Sequence, residues 1–387
     1  MKSLYNLSGK ATRLTRGQIA IIPIITLIAL LARFVWFPFV SRDYEIFLQP
    51  WFEEIKTNGG FMAIGRPIGD YLPSYVYILA ALSYVPFDSL FLIKIVSSIG
   101  DIIMAFYAMN IVFTKTQKSS KAVLVYTIVM FLPTVMLNSG AWGQCDSLYT
   151  AALMACLYHI MHGKSRAGMI AFAVSFIFKL QAVFFAPFIL LLLIKKKIRF
   201  VQLYYIPAIY GLAILPAAIM GRPLFDLLTI YIRLAGSYSA LSLNAPNFYA
   251  FINIENTLIV SILSLFVFTL VLVFAFQRLW NANFEITSDI IVRFCMLCAL
   301  AMPFLLPHMH ERYFYLADVL TVIYAVIYPK RWILPTTVIT SSFLLYGAYL
   351  FGFTWMNAAY AAFPMFISVT IVFFDVLLAI KENMLLS

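Results

Sequence analysis

Apolar runs about as long as a bilayer is thick alternate along this chain with short basic segments. A membrane-spanning helix needs roughly 20 predominantly apolar residues. Runs that reach or approach that length fall at 19–40, 90–113, 122–139, 147–162, 167–179, 181–194, 201–219, 258–276, 290–306, 314–328, 333–351 and 359–380. The pattern predicts an all-α, polytopic bundle of about 12 transmembrane helices. The 167–194 pair is short and closely spaced. Stretches 41–89 and 221–257 are too long and too polar for tight turns. They are expected to be outer loops, the first carrying interfacial helices. The chain reads as one unit: a first span, the 41–89 loop, a helical module over 90–219, the 221–257 loop and C-terminal spans over 258–380.

Composition makes lipid the solvent. Hydrophobic residues are 63% and charged residues 11% of the 387, and mean hydropathy is +0.94. A soluble domain carries roughly 25% charged residues. The net charge of +11 sits in connecting segments, which argues for topology and against a nucleic-acid surface. Four cysteines are too few for a disulfide framework. Cys295 and Cys298 form a CxxC inside an apolar run, where packing is expected. The N-terminus is basic (Lys2, Lys10, Arg13, Arg16). The apolar run after it is too long for a signal-peptide core and lacks a small-residue cleavage site, so it is expected to be retained.

Lys and Arg then set the orientation. With the N-terminus cytoplasmic, the inner segments are 114–121 (Lys115, Lys118, Lys121), 163–166 (Lys164, Arg166), 195–199 (Lys195, Lys196, Lys197, Arg199), 277–289 (Arg278), 328–332 (Lys330, Arg331) and the C-terminus (Lys381). All but one of these loops hold at least two bases. Segment 71–86 must then stay outside, along the interface. The outer face collects Asp43, Glu45, Glu53, Glu54, Asp70 and Asp88, then Asp146, then His308, His310, Glu311 and Arg312. Three polar clusters far apart in sequence meet on one side of a cell membrane. Compact size and outer segments without an N-x-[ST] site suggest a bacterial plasma membrane. The Asn6-Leu7-Ser8 sequon lies on the predicted cytoplasmic tail.

The chain has no phosphate-binding G-x-x-x-x-G-K-[ST], no zinc spacing and no Gly-rich dinucleotide loop. With no cytoplasmic nucleotide-sugar domain, any donor must be lipid-borne. Glycosyl transfer needs a carboxylate to take the acceptor's proton, cations or donors to stabilise the leaving phosphate, and an apolar slot. Asp43 and Glu45 follow the first span directly, where a helix holds them in place. Two carboxylates with no third ligand do not make a metal site. No cofactor is expected, with a divalent ion left open. Lys94 and Asp101 are two turns apart on one helical face. These two, Asp318 and Asp375 are intramembrane charges, open to a functional reading or to helix pairing.

Five segments resemble, in order, GT-C membrane glycosyltransferases. Ser41-Arg42-Asp43-Tyr44-Glu45 with Trp51 resembles the start of their first luminal loop. Gly69-Asp70-Tyr71-Leu72-Pro73-Ser74-Tyr75 resembles D-Y-P-P-L-x-x-Y. Gly143-Gln144-Cys145-Asp146 resembles a G-H-F-Q-Y-N type turn. Phe178-Lys179-Leu180-Gln181 with Ala186-Pro187 resembles F-K-Q-x…A-P, and His310-Glu311-Arg312 resembles an H-E-K/R turn. The resemblance covers roughly residues 20–320. It is nearest to the dolichyl-phosphate-glucose glucosyltransferases of N-glycan assembly and to bacterial mannosyltransferases related to the GPI enzymes.

It implies an inverting, metal-independent hexosyltransferase that uses a polyprenyl-phosphate monosaccharide and an extracytoplasmic glycan or glycolipid acceptor. It implies Asp43 as general base and Lys179, His310 and Arg312 as phosphate contacts, with His310 also open to a role as general acid or helix cap. Glu45, Asp70, Gln144, Asp146, Gln181 and Glu311 would shape the pocket. Pro-Pro is reduced to Leu72-Pro73, and Asp146 stands where the pattern has an amide, so the acceptor is open. Two accounts stand for Lys179, snorkelling to the surface or holding phosphate. Two stand for Arg312, phosphate or a pair with Glu311 or Asp318. Trp51, Trp142 and Tyr313 are either interface anchors or sugar-stacking rings. A lipid-sugar flippase, expected to show inverted repeats and a midplane site, and an outer-face polymerase or ligase are the competing classes.

Overall fold

The computed structural model describes residues 15–252, 254 and 257–386. Lys2, Lys10, Arg13 and the Asn6 sequon lie outside them. The described chain is helical, with α1 (Arg16–Phe34), α2 (Gln49–Thr57), α3 (Pro73–Leu82) and α4 (Ser89–Thr116) first. Next come α5 (Ser119–Met130), α6 (Pro133–Met136), α7 (Asp146–Met161), α8 (Ser165–Phe178), α9 (Ala186–Ile194) and α10 (Tyr205–Ile219). Last are α11 (Leu224–Ala235), α12 (Thr257–Asn281), α13 (Ser288–Leu305), α14 (Tyr315–Ile327), α15 (Ile333–Phe351) and α16 (Ala358–Leu386). Two two-residue strands, β1 (Ser242–Leu243) and β2 (Met309–His310), pair in parallel.

This is a helical membrane protein. Among the described residues seven helices are long and apolar enough to cross a bilayer: α1, α4, α10 with the turn before it, α12, α13, α15 and α16. The bent pair Ser119–Met130 and Pro133–Trp142 makes an eighth if its 47° break lies within one span. Four further expected spans correspond to shorter helices: α7, α8, α9 with the turn Leu180–Phe185 before it, and α14. A 14-residue helix such as α8 rises only about 21 Å.

Most charges inside the bundle are paired or hydrogen-bonded, though Asp318 Oδ2 is buried without a partner. Lys94 donates to the carbonyls of Trp36, Phe37 and Phe39 at 3.1, 3.0 and 2.6 Å. Its three ammonium hydrogens find three acceptors, so the chain leaving α1 is held just before Asp43. Asp101 pairs with Arg33 at 3.0 Å and accepts from Tyr315 at 3.0 Å, joining α1, α4 and α14. Asp318 accepts from Ser342, and Asp375 from Tyr324 and Arg331. Cys295 and Cys298 are buried, free thiols.

The basic segments meet at one end. Lys115 pairs with Asp289, Lys121 donates to Val326 O, Lys195 to Ala282 O, and Arg331 pairs with Asp375. α4 and α14, followed along their length, place Lys94 and Arg312 at the opposite end, with Asp43.

Candidate active site

Two turns of π-helix frame Asp43, a form that recurs at functional sites. Tyr44–Leu48 begins directly after Asp43, and Leu137–Trp142 lies against it. Ser41 Oγ donates to Trp142 O at 2.7 Å and caps the Tyr44 N–H, tying the two segments together. Trp142 Nε1 then donates to Asp43 at 2.9 Å. Gly143 follows with φ +76°, a left-handed conformation that glycine adopts without steric cost. The chain reverses there and Gln144 faces Asp43.

Gln144 is the hinge of the network. Its Nε2 donates to Asp43 at 2.6 Å, and its Oε1 accepts from Lys179 at 3.2 Å and Tyr71 at 3.2 Å. An amide satisfies a carboxylate on one side and an ammonium on the other in this orientation alone. Lys179 sits where α8 ends and the backbone becomes extended. It is buried, bonded to Asp146 at 2.7 Å, and 5.2 Å from the Tyr71 ring centroid. Snorkelling to the surface is therefore corrected: Asp146 draws this ammonium inward. Asn138 donates to the other Asp146 oxygen at 2.8 Å.

Arg312 arrives from the 310–314 turn and pairs with Asp43 at 2.9 Å. Neither Glu311 nor Asp318 is its partner, which corrects that expectation. Tyr349, from α15, also donates to Asp43. Burial works against ionisation of Asp43, but Arg312, then the Tyr349 and Trp142 hydrogen bonds, outweigh it and hold the carboxyl below its usual value. Burial and the Arg312 charge push His310 down to about 3, so its ring is neutral. That ring stands 4.8 Å from Tyr238 and 5.2 Å from Tyr313, with Nε2 buried and unpartnered. Burial pushes Glu311 up to about 7, and its Oε1 is also unpartnered.

The β1–β2 pair positions the turn from outside. Leu243 is in register with His310, and the His308 ring is held by Ala240 O and Ser261 Oγ, each at 2.8 Å. This link between the 221–257 loop and the histidine turn had no signal in the sequence, because two-residue strands leave no pattern.

These groups surround a cavity of about 190 Å³. Asp43, Asp70, Gln144, Lys179, Gln181, His310 and Arg312 line it, with Trp51, Tyr71 and Tyr313. Asp70 stands at the rim, after Gly69 at φ +67°, where a Cβ would come within 2.9 Å of Trp51. Its carboxyl is raised above the usual value by burial. Four expected site residues lie elsewhere. Glu45 is exposed, because it follows Asp43 on the opposite side of the π-turn. Asp146 and Glu311 are buried behind the lining, and Trp142 is fully buried, bonded to Asp43 rather than free to stack on a sugar. Tyr349 and Tyr238 were missed. Neither falls in a motif, and α15 and the 236–241 segment reach the site through tertiary packing alone.

A second, apolar cavity of about 220 Å³ adjoins the first. The two share Leu180, Gln181, Leu234, Tyr238 and Tyr313, and the second adds Val183, Phe184 and, from α12, Leu265. Among the described residues no group of three His, Cys, Asp or Glu side chains is gathered to hold a metal ion. Comparison with models of known protein families and with curated proteins finds no match for this chain, so its chemistry rests on the side chains themselves.

Proposed function

We propose that this protein is an inverting hexosyltransferase of GT-C type. It would take one sugar from a polyprenyl-phosphate carrier and pass it to an extracytoplasmic glycan or glycolipid. The observation that carries this reading is the pair of joined cavities. A charged chamber with two cations and an unpartnered imidazole opens into an apolar one beside a barely packed helix, α12. Such a shape suits a ligand with a phosphate between a polar head and a hydrocarbon tail. The twelve-span topology belongs to the same proposal, with α7, α8, the Leu180–Ile194 segment and α14 as its short spans. The orientation, with the cavity extracytoplasmic, follows the basic segments gathered at the other end.

In this mechanism the acceptor oxygen attacks the anomeric carbon, and the bond from that carbon to the phosphate oxygen breaks. Its electron pair leaves with the phosphate, and the acceptor's proton passes to Asp43. Asp43 thus loses a negative charge as the phosphate gains one. Arg312, already on Asp43, is placed to follow that charge, while Lys179 and the neutral His310 N–H donate to the phosphate. With Arg312, Tyr349 and Trp142 bonded to it, Asp43 is a weak base. Moving Arg312 toward a bound phosphate raises its basicity.

A second reading makes Asp70 the base. It lines the cavity, and burial raises its carboxyl above the usual value, which suits proton transfer nearer neutrality. The test is transfer by purified protein from a panel of polyprenyl-phosphate hexoses. Loss of turnover in Asp43→Asn with transfer retained in Asp70→Asn supports Asp43, and the reverse result supports Asp70. Arg312→Ala is expected to weaken donor use. Sugar-lipid flux across vesicles without transfer would instead make the protein a transporter.

A further inference from the structure

The far end of the bundle carries a second pocket that the proposed chemistry does not use. It lies where α8 begins and the turn before α10 packs against it, about the length of α8 from Lys179. Ser165, Arg166, Arg199, Gln202, Tyr204 and Tyr205 line a space of about 460 Å³. The walls are fixed. The Arg199 backbone N–H donates to Gln202 Oε1 at 2.9 Å, and Gln202 Nε2 donates to Ser165 Oγ at 3.0 Å. The Tyr204 and Tyr205 rings lie 4.3 Å apart.

Its charge is unbalanced. Arg166 and Arg199 are exposed, and among the described residues neither pairs with an acid. No Asp or Glu occurs between Asp146 and Asp226 in the sequence, whereas Lys164, Lys196 and Lys197 flank the pocket and are exposed. Directly beside the arginines the surface turns apolar. Phe200 is 76% and Val201 65% exposed, and α10 continues with exposed Leu212 and Leu215. Topology alone asks for bases at this end. It does not ask for a walled recess with two unpaired guanidinium groups above an uncovered apolar strip.

We propose that this recess binds the headgroup of an anionic, two-chain phospholipid. Arg166 and Arg199 would hold the phosphodiester, and the acyl chains would lie along Phe200, Val201 and the outer face of α10. Guanidinium forks match phosphate oxygens, and basic pockets between helices suit anionic headgroups. A free phosphate would use the charge and leave the apolar strip without a role, so the lipid is the occupant favoured. The proposal does not depend on glycosyl transfer.

The test uses the full chain in nanodiscs or mixed micelles, with bound lipid counted by native mass spectrometry. Wild-type protein should retain phosphatidylglycerol over phosphatidylcholine, and inorganic phosphate should not displace it. Arg166→Gln with Arg199→Gln should lower phosphatidylglycerol retention at least tenfold. Lys118→Gln with Lys330→Gln removes the same charge elsewhere at this end and should leave retention unchanged. Arg166→Lys with Arg199→Lys keeps the charge, loses the fork, and should fall between. Equal loss in both Gln pairs, equal retention of the two lipids, or displacement by phosphate would each overturn the proposal. Should the Arg→Gln pair fold poorly, the wild-type lipid preference and the phosphate competition decide it.

Discussion

The two ends of the bundle carry ionic networks of similar size built to different rules. At the far end Asp289 is bound by Lys115, Arg293 and Tyr328, and Asp375 by Tyr324, Arg293 and Arg331. None of these side chains has an orphaned buried polar atom. At the cavity end Asp43 is bound just as heavily, yet His310 Nε2, Glu311 Oε1 and Arg312 Nε are buried without partners. A saturated network holds helices together. An unsaturated one beside a cavity holds capacity for a ligand, since buried polar groups cost free energy until something bonds them.

The sharpest way to break this comparison is one carboxylate at each end. Asp43→Asn should lower turnover by about 10²- to 10⁴-fold, the usual range for a lost general base, while the protein stays folded. Asp375→Asn should leave turnover per folded molecule near wild type and lower the melting temperature. Equal activity losses would mean that the two networks do not differ in kind.

Next in size is the Lys179–Asp146 pair. Asp146→Asn leaves a buried ammonium uncompensated and is expected to cost about 3–5 kcal/mol. Lys179→Met with Asp146→Leu removes both charges and should recover most of that stability while donor use stays impaired. Recovery of both stability and transfer would make the pair structural only.

Gln144→Glu sharpens the picture further. It sets a second carboxylate against Asp43, where the amide nitrogen now stands at 2.6 Å. Like charges at that distance cannot both ionise freely, so the acid limb of the pH–rate profile should rise by roughly a unit or more. An unmoved limb would detach Asp43 from the titration.

The smallest effect concerns Glu311. Its carboxyl is raised from 4.5 to about 7 by burial. The folded state therefore binds more protons than the unfolded state between those values, and stability falls as pH rises through that window. Glu311→Gln should flatten this part of the melting-temperature profile. A profile identical to wild type would show that Glu311 does not titrate there.

Much of this was legible in the chain. Apolar run length marks membrane helices because lipid supplies no hydrogen bonds to an exposed backbone. Basic residues concentrate in the short segments between apolar runs, and the structure gathers these segments at one end. Polarity beside long apolar runs marks Asp43, Asp146 and the 308–312 turn, while Gln144, Lys179 and the site roles came from segments that resemble GT-C glycosyltransferases. Span counts were less legible: α7, α8 and α14 match their apolar runs to within two residues, and at 16, 14 and 13 residues they fall short of a full bilayer crossing.

Side chains that reach the site from elsewhere left no such mark. The sequence determined that this chain belongs in a membrane and which polar groups stand at the helix ends, because both are properties of local composition. The tertiary structure alone decided that Arg312 pairs with Asp43, that Lys179 points inward to Asp146, that Glu45 points away, and that Tyr349 and Tyr238 join them. Those pairings depend on distances between helices hundreds of residues apart. A side chain's partner is set by which helices pack together, and no local pattern encodes that.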